Sequence, residues 1–273
     1  DATTEEINEE IQTDEINEES ADADSEPTRA TSVDAYDWAT LQYYGGSTTN
    51  YEIHLKSPIT VDNTILTFGN SATIIGTPSN YITGGNSGKI PFQSTGSLDI
   101  NFINVTFKNM DASVLIKLAT TGTNKFINCS FDNIHTYAYK SSVIWNDKGY
   151  MNISRCNFTN CNDGFGAVTN YATVNTDSVL MNVENCRFED NYGRIEPGAI
   201  NNCGELNVTD STFINNRAGQ WAGAIHTHSK ANTRVVNSNF TNNVAGTNGG
   251  ALFSYSNLKV INCNFEGNTA NTN

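Results

Sequence analysis

Residues 206–213 have the sequence LNVTDSTF, and this stretch decides the fold class of the 273-residue chain. Apolar and polar side chains alternate up to Asp210 and then alternate again after it. The pattern predicts two short strands joined at a corner, with Leu206 facing inward on the first strand and Phe213 facing inward on the second. An amphipathic helix would instead need apolar residues at three- and four-residue spacing, which the stretch lacks.

The same unit, centred on a Phe, recurs along the chain. Seven copies lie between residues 105 and 268, and successive Phe residues are 24, 27, 30, 25, 27 and 25 positions apart. In four copies a Gly-Ala-apolar triplet follows the Phe by about ten positions. Three short strands and their corners need roughly 25 residues, which is the length of one coil of a β-solenoid. The seven repeated residues are Phe107, Phe131, Phe158, Phe188, Phe213, Phe240 and Phe265.

We therefore predict an all-β fold: a right-handed parallel β-helix of roughly nine coils, each with about 25–27 residues and three short strands. Coils stacked at roughly 4.8 Å would place the seven Phe residues in one ladder inside the core. The residue three positions before each Phe, usually Asn, would lie at a corner because Asn tolerates left-handed backbone. The Gly of each Gly-Ala triplet would occupy another tight corner, where a Cβ would clash.

The negative charge of the chain is concentrated at its N-terminus. Residues 1–30 hold twelve acidic residues and one Arg, and the remainder carries a net charge of only −3. Because it has so few apolar residues, the segment 1–32 is predicted to be a disordered acidic tail. A nearly neutral body without a basic stripe argues against nucleic acid as a partner. No apolar run reaches the roughly 18 residues that a membrane span requires.

Residues 33–50 are predicted to cap the first coil of the solenoid. A short helix is expected from Asp34 to Leu41, with Trp38 and Leu41 covering the apolar end that would otherwise face water. Residues 51–273 would then form the β-helix. The chain stops directly after a complete repeat, so we expect further coils in the full-length protein.

Four of the six cysteines share one position, two residues before a Phe, where Val and Ser stand in other copies. This interchange indicates a small inward-facing site, at which a free thiol behaves as a small hydrophobic group. In-register parallel neighbours also present their Cβ atoms poorly for a disulfide. We expect reduced thiols at Cys129, Cys156, Cys186 and Cys263, whereas Cys161 and Cys203 occupy other positions.

The paired repeat, Phe-x-x-Asn with Gly-Gly-Ala-Ile-like triplets, resembles two protein families. It is similar to the passenger repeats of chlamydial polymorphic outer-membrane autotransporters. It more closely resembles the adhesin-like proteins of methanogenic archaea, in which Asn-Cys-x-Phe-x-x-Asn coils follow a segment like the one from Thr73 to Phe107. The resemblance covers residues 33–273. It implies a non-catalytic adhesin without a cofactor, secreted or on the cell surface, that binds a glycan or protein of a host or neighbouring cell.

Enzymes with this fold supply the main alternative, a polysaccharide lyase or glycoside hydrolase. Asn175-Thr176-Asp177 resembles one galacturonase motif, but the paired Asp-Asp, Gly-His-Gly and Arg-x-Lys of that family are missing, and inverting hydrolysis needs a second carboxylate. A calcium-assisted lyase would need clustered acids near a cationic side chain. The nearest such set is Glu184, Glu189, Asp190, Arg194 and Glu196. A second alternative is a structural filament subunit that associates head to tail along the solenoid axis.

The register of the Gly-Ala triplets predicts one functional surface. If Val168, Ile200, Ile225 and Leu252 point inward, the residues one and three positions later point outward. These are Thr169 and Tyr171, Asn201 and Cys203, His226 and His228, and Phe253 and Tyr255. An uncovered aromatic column can stack on sugar rings or on a partner, or its rings can stack on one another.

We predict a ligand-binding set on this surface: Tyr171, His226, His228, Phe253 and Tyr255. His226 and His228 would lie on the same face of one strand because they are two positions apart. A structural or catalytic metal needs at least a third protein ligand. None is evident in the sequence, so we predict no metal site.

Overall fold

The computed structural model describes residues 30–172 and 179–271. Over these stretches the chain forms one helix, Trp38–Gly45, and 32 short strands that pair in parallel from coil to coil. The prediction of a parallel β-helix of about nine coils is confirmed. Most of the acidic tail, residues 1–29, and the tripeptide Asn175-Thr176-Asp177 lie outside the described residues.

Three sheets run along the solenoid, and we name them sheets A, B and C. Sheet A contains ten of the described strands: Thr31–Ala35, Tyr51–Leu55, Ala72–Ile75, Ile100–Ile103, Thr123–Ile127, Tyr150–Ser154, Leu180–Glu184, Glu205–Thr209, Asn232–Val236 and Asn257–Ile261. Sheet C contains eight: Leu66–Thr67, Phe92–Gly96, Ile116–Thr120, Ile144–Asn146, Val168–Asn170, Ile200–Asn202, Ile225–Thr227 and Leu252–Ser254.

Sheet B contains the remaining 14 described strands and divides along its length. Its first four are Ile59–Val61, Tyr81–Gly85, Thr106–Ala112 and Ser130–Thr136. Beyond these, each coil contributes two short strands, one in each of two parallel rows. The first row is Asn157–Thr159, Arg187–Glu189, Thr212–Ile214, Asn239–Thr241 and Asn264–Glu266; the second is Asn162–Asp163, Tyr192–Gly193, Arg217–Ala218, Val244–Ala245 and Thr269–Ala270.

The predicted Phe ladder forms the core beneath sheet B. The rings of successive coils stack with centroids 4.7–5.0 Å apart and nearly parallel planes. The rings from Phe107 to Phe240 are fully buried. Phe265 departs from the prediction, because 45% of its surface is exposed: it belongs to the last described coil, and only Phe240 stacks on it.

The corner before each Phe has the backbone that the sequence predicts. All seven residues at this position have φ between 49° and 56°, including Arg155 and Asp210, which replace Asn. Asn side chains of adjacent coils bond to one another here, for example from Asn128 Nδ2 to Asn104 Oδ1 at 2.8 Å. A second residue of positive φ follows each of the seven Phe residues by two positions, as at Asn215. From Asn160 onward this second bend separates the two rows of sheet B, whereas Thr106–Ala112 and Ser130–Thr136 continue through it.

A buried ladder of amides lies directly after the second bend. Asn216 Nδ2 donates to Asn243 Oδ1 at 3.0 Å and to the carbonyl of Phe188 at 3.0 Å, and Asn191 and Asn243 repeat the pattern. Cys161 occupies the same position one coil before Asn191, whose Oδ1 accepts from its backbone N–H. The Phe repeat does not define the position of Cys161, and the structure places it in this ladder.

The six cysteines are free thiols. Cys129, Cys156 and Cys186 form a buried column in which a backbone N–H donates to the thiol of the next coil at 3.4 Å. Each of these thiols in turn donates to a main-chain carbonyl, such as that of Phe102. The column is therefore satisfied without a disulfide.

The N-terminal cap forms, but its boundaries differ from those predicted. Thr31–Ala35 is the first strand of sheet A and pairs with Tyr51–Leu55, so the expectation that residues up to 32 make no strand is wrong. The helix therefore begins at Trp38 rather than Asp34, with Asp37 as its N-cap. Trp38 and Leu41 are buried over the first coil, where the indole meets Phe92 edge to face. No described helix has the length and apolar character to cross a membrane.

Candidate functional site

The outer face of sheet C carries the residues that the register analysis selected. Val168, Ile200, Ile225 and Leu252 are paired in one inward row. The outward row beside it runs from Lys117 through Trp145, Thr169, Asn201 and His226 to Phe253. The predicted inward and outward directions of these residues therefore agree with the structure.

The expectation that nothing covers this column is wrong over its middle coils. Thr169, Asn201 and His226 are 0% exposed although they point away from the core. The segments that lead from sheet B into sheet C fold back over the sheet and bring Phe165, Glu196 and Trp221 above it. Only the last copy remains open, with Phe253 half-buried and Tyr255 exposed.

An aromatic cluster surrounds His226. Its imidazole stacks on Phe253 with centroids 5.5 Å apart, and Trp221 packs against it at 5.8 Å. Tyr255 meets Phe253 edge to face at 4.8 Å and closes the group. Three of the five predicted ligand-binding residues thus stack on one another, which is the simpler of the two roles that the sequence allowed for them.

Glu196 joins His226 and His228 on the outer side of the sheet. Its Oε2 lies 2.9 Å from His228 Nε2 and 3.4 Å from His226 Nδ1. The three potential ligand atoms lie within 4.8 Å of one another, the only such group of three among the described residues. The statement that no third ligand accompanies the two histidines is therefore wrong. Asn201 Oδ1 also lies 2.9 Å from His228 Nε2.

The Glu196–His228 contact is a partly buried ion pair. Burial alone would raise the pKa of Glu196, but its contacts with the two histidines lower it to about 2. Burial alone would lower the pKa of His228, but its contacts with Cys203 and Glu196 raise it to about 10. At neutral pH both partners of the pair are therefore ionised.

His226 is less well satisfied than its neighbours. It is fully buried, and neither ring nitrogen makes a hydrogen bond with any described residue. Nδ1 is 3.4 Å from Glu196 Oε2, but the two groups lack hydrogen-bond geometry. Buried nitrogens without partners are uncommon and costly, so this residue requires an explanation.

A cleft of about 1110 Å³ opens above the Glu196–His228 pair. Aromatic side chains line its walls, namely Tyr139, Phe165, Tyr171 and Trp221. Polar groups on its floor and rim include Lys140, Glu196, Asn201, Cys203, Glu205, His228 and Lys230. Tyr171 and His228 are therefore two of the predicted residues that do face a common cleft, although Tyr171 also packs on Trp145 at 5.0 Å.

The acidic set proposed for a calcium-assisted lyase does not come together. Glu189 pairs with Arg187 at 2.8 Å, and Arg194 donates to the carbonyls of Thr136 and Ala138. Asp190 occupies a positive-φ bend. Glu196 alone of this set joins the two histidines.

Sequence reasoning missed Trp221 as a lining residue and the pairing of Glu196 with the histidines. Both lie in the non-repetitive segments between sheets B and C, whose course the repeat period does not fix. One signal was present: each precedes an outward polar residue of sheet C by about five positions, as Glu196 precedes Asn201 and Trp221 precedes His226.

Comparison with known proteins supports the fold. The family model described as "Right handed beta helix region" matches residues 86–270. A similar solved structure is an alginate lyase from Paenibacillus sp. str. FPU-7, which is 12% identical, with 86% of this chain and 99% of that chain covered and a TM-score of 0.38. At these values the likeness carries no argument about activity. No match was found among curated protein sequences.

Proposed function

We propose that this chain, which belongs to the right-handed beta-helix family, is an extracellular adhesin-like protein that binds a glycan in the sheet C cleft without cleaving it. The fold alone does not identify the function, because β-helices serve unrelated functions. The proposal therefore rests on the cleft.

The single observation that carries it is the composition of the cleft wall. Tyr171 and Trp221 are half-buried and line the cleft from two coils that are separated by one other coil. Aromatic rings stack on the C–H faces of sugars, whose hydroxyls then need polar partners at the edges. His228, whose side chain is 30% exposed, is such a partner, and Glu196 lies beside it.

The charges along the cleft favour a neutral or weakly charged glycan. Lys140, Lys230 and the protonated His228 are nearly balanced by Glu196 and Glu205, which leaves a net charge of about +1. A polyanionic chain would gain little attraction from such a lining, because salt screens exposed charges over about 8–10 Å.

The electrostatics of the Glu196–His228 pair favour binding over catalysis. General acid–base catalysis works best when the catalytic pKa lies near the working pH. The pair holds the pKa of Glu196 at about 2 and the pKa of His228 at about 10, so neither group exchanges a proton readily near neutrality. A polysaccharide lyase or hydrolase with this pair as its acid and base would work poorly.

The test is a panel of neutral and uronate-containing oligosaccharides titrated into the purified chain by calorimetry. We expect at least one neutral oligosaccharide to bind, and Trp221→Ala to weaken that binding about tenfold or more, since losing one stacked ring costs roughly 1.4 kcal/mol or more. Tyr43→Ala is the matched control, because Tyr43 is an aromatic residue that is 74% exposed on the cap helix. Equal affinity in the two variants would contradict the proposal.

The enzyme alternative is tested in the same samples. Its supporting observation is that ionisable groups with strongly shifted pKa values line a cleft, as they do in many active sites. Prolonged incubation followed by mass spectrometry of the oligosaccharides should show no shortened or unsaturated products. Products formed by the unmodified chain and abolished by Glu196→Gln would establish the enzyme instead.

A further inference from the structure

Glu196, His226 and His228 lie together beside one carboxylate oxygen. The ion pair between Glu196 and His228 does not explain why the second imidazole, that of His226, is there. His226 lies on the strand Ile225–Thr227 and His228 follows it, so the two imidazoles project from one face. Glu196 reaches them from the preceding coil. A protein needs only one imidazole to balance one carboxylate, and here two are held against the same oxygen.

The imidazole of His226 is the one that the ion pair leaves unexplained. His226 is 0% exposed, and both of its ring nitrogens lack hydrogen-bond partners among the described residues. Its Nδ1 faces Glu196 Oε2 at 3.4 Å. A cation bound between these atoms would give the buried nitrogen a partner and would remove the cost of leaving it unpaired.

The spacing of the donors suits a tetrahedral ion. Bonds of about 2.0–2.1 Å to nitrogen and about 2.0–2.2 Å to a carboxylate oxygen place tetrahedral donors roughly 3.3–3.5 Å apart. The separation between His226 Nδ1 and Glu196 Oε2 is 3.4 Å, and that between His228 Nε2 and the same oxygen is 2.9 Å. The shorter separation would have to widen by about half an ångström, which replaces the ion pair with two metal bonds.

We propose that Glu196 Oε2, His226 Nδ1 and His228 Nε2 bind a zinc-like divalent cation at the floor of the cleft. Imidazole ligands select zinc, cobalt, nickel or copper, whereas calcium and magnesium prefer sites made of oxygen. The aromatic rings of Trp221 and Phe253 hold His226 in place, as a preorganised ligand requires.

Cys203 is the candidate for the fourth ligand. It contacts His228, and both residues line the cleft. A thiolate together with one carboxylate would neutralise a doubly charged ion, which matters in a site where Glu196 is only 7% exposed. With Cys203 bound the site is closed; without it the fourth position faces the cleft, where a ligand oxygen can enter.

Zinc chloride titrated by calorimetry into the chelator-treated chain tests the proposal. We expect one zinc ion per chain, with no comparable binding of calcium or magnesium. His228→Gln should weaken zinc binding by more than about 10–100-fold, the loss typical of even an outer-shell change. His54→Gln is the matched control, because His54 forms a pair with Glu52 at 2.8 Å that has no second imidazole, and it should leave zinc affinity unchanged.

A spectroscopic readout on the unmodified chain keeps the test decisive if His228→Gln folds poorly. Cobalt bound in place of zinc should give the intense visible absorption of a tetrahedral site, and Cys203→Ser should remove any thiolate-to-cobalt charge-transfer band while leaving the ion bound. Absence of zinc binding, equal zinc affinity in His228→Gln, or an octahedral cobalt spectrum would each overturn the proposal. The glycan proposal is independent of these results, because its readout is oligosaccharide affinity in the chelated chain.

Discussion

A single buried Phe in each coil links sequence to structure most directly. Each ring from Phe131 to Phe240 is covered by the rings of the coils before and after it, and the contact is repeated with little variation. Because the sheet spacing fixes the ring spacing, the same side chain serves every coil. A smaller side chain at any of these positions leaves a cavity that neighbouring coils cannot close without losing register.

We predict that Phe188→Ala lowers the free energy of unfolding by about 3–5 kcal/mol, the usual cost of deleting a buried aromatic ring. Phe265→Ala should lower it by less than about 2 kcal/mol, because that ring is already 45% exposed. Chemical denaturation of the two variants beside the unmodified chain measures both values. Similar losses in the two would mean that the ladder does not form the core of the coils.

Individual residues could be placed from the sequence only where they belong to the repeat. The sequence predicted the Phe ladder, the positive-φ corner at residues such as Asn237, and the outward direction of His226. It could not predict that His226 is buried, because the covering side chain of Trp221 belongs to a segment with no period. The cluster with Glu196 was missed for the same reason.

At the scale of elements, the N-terminal strand and helix close the solenoid. Thr31–Ala35 satisfies the edge of Tyr51–Leu55, and the helix Trp38–Gly45 covers the first coil with Leu41 fully buried. The sequence predicted the helix and its two buried residues from the need to cover an apolar end. It missed the strand, because TSVDA is short, polar at its start and preceded by an acidic segment.

We predict that deletion of residues 1–29 leaves the melting temperature and the monodispersity of the protein unchanged, because that segment is highly acidic and has few apolar residues. Deletion of residues 1–45 should lower the melting temperature and cause aggregation, since it exposes a parallel strand edge with buried neighbours such as Ile53 and Leu55. Thermal melts and size-exclusion chromatography separate the two outcomes. If the shorter deletion alone prevented folding or self-association, the filament alternative would replace the adhesin one.

At the scale of the whole molecule, the outer face of sheet C is the surface on which both proposals rest. Sheets A and B are set almost entirely by the repeat, with ladders of Asn on their corners and amides in the core. The outer face of sheet C combines aromatic rings, two histidines, a carboxylate and a cleft of about 1110 Å³. Among the described residues, the connecting segments that differ from coil to coil bring Glu196 and Trp221 onto this face.

The central claim is that the sheet C cleft binds a glycan without cleaving it. The most direct test is a crystal structure of the chain, determined from crystals soaked in the oligosaccharide that binds best. The account predicts an intact saccharide in the sheet C cleft, with a sugar ring against Trp221 or Tyr171 and hydroxyl groups within hydrogen-bond distance of His228. A saccharide bound on sheet A or B, or a cleaved product lying in the cleft, would contradict it.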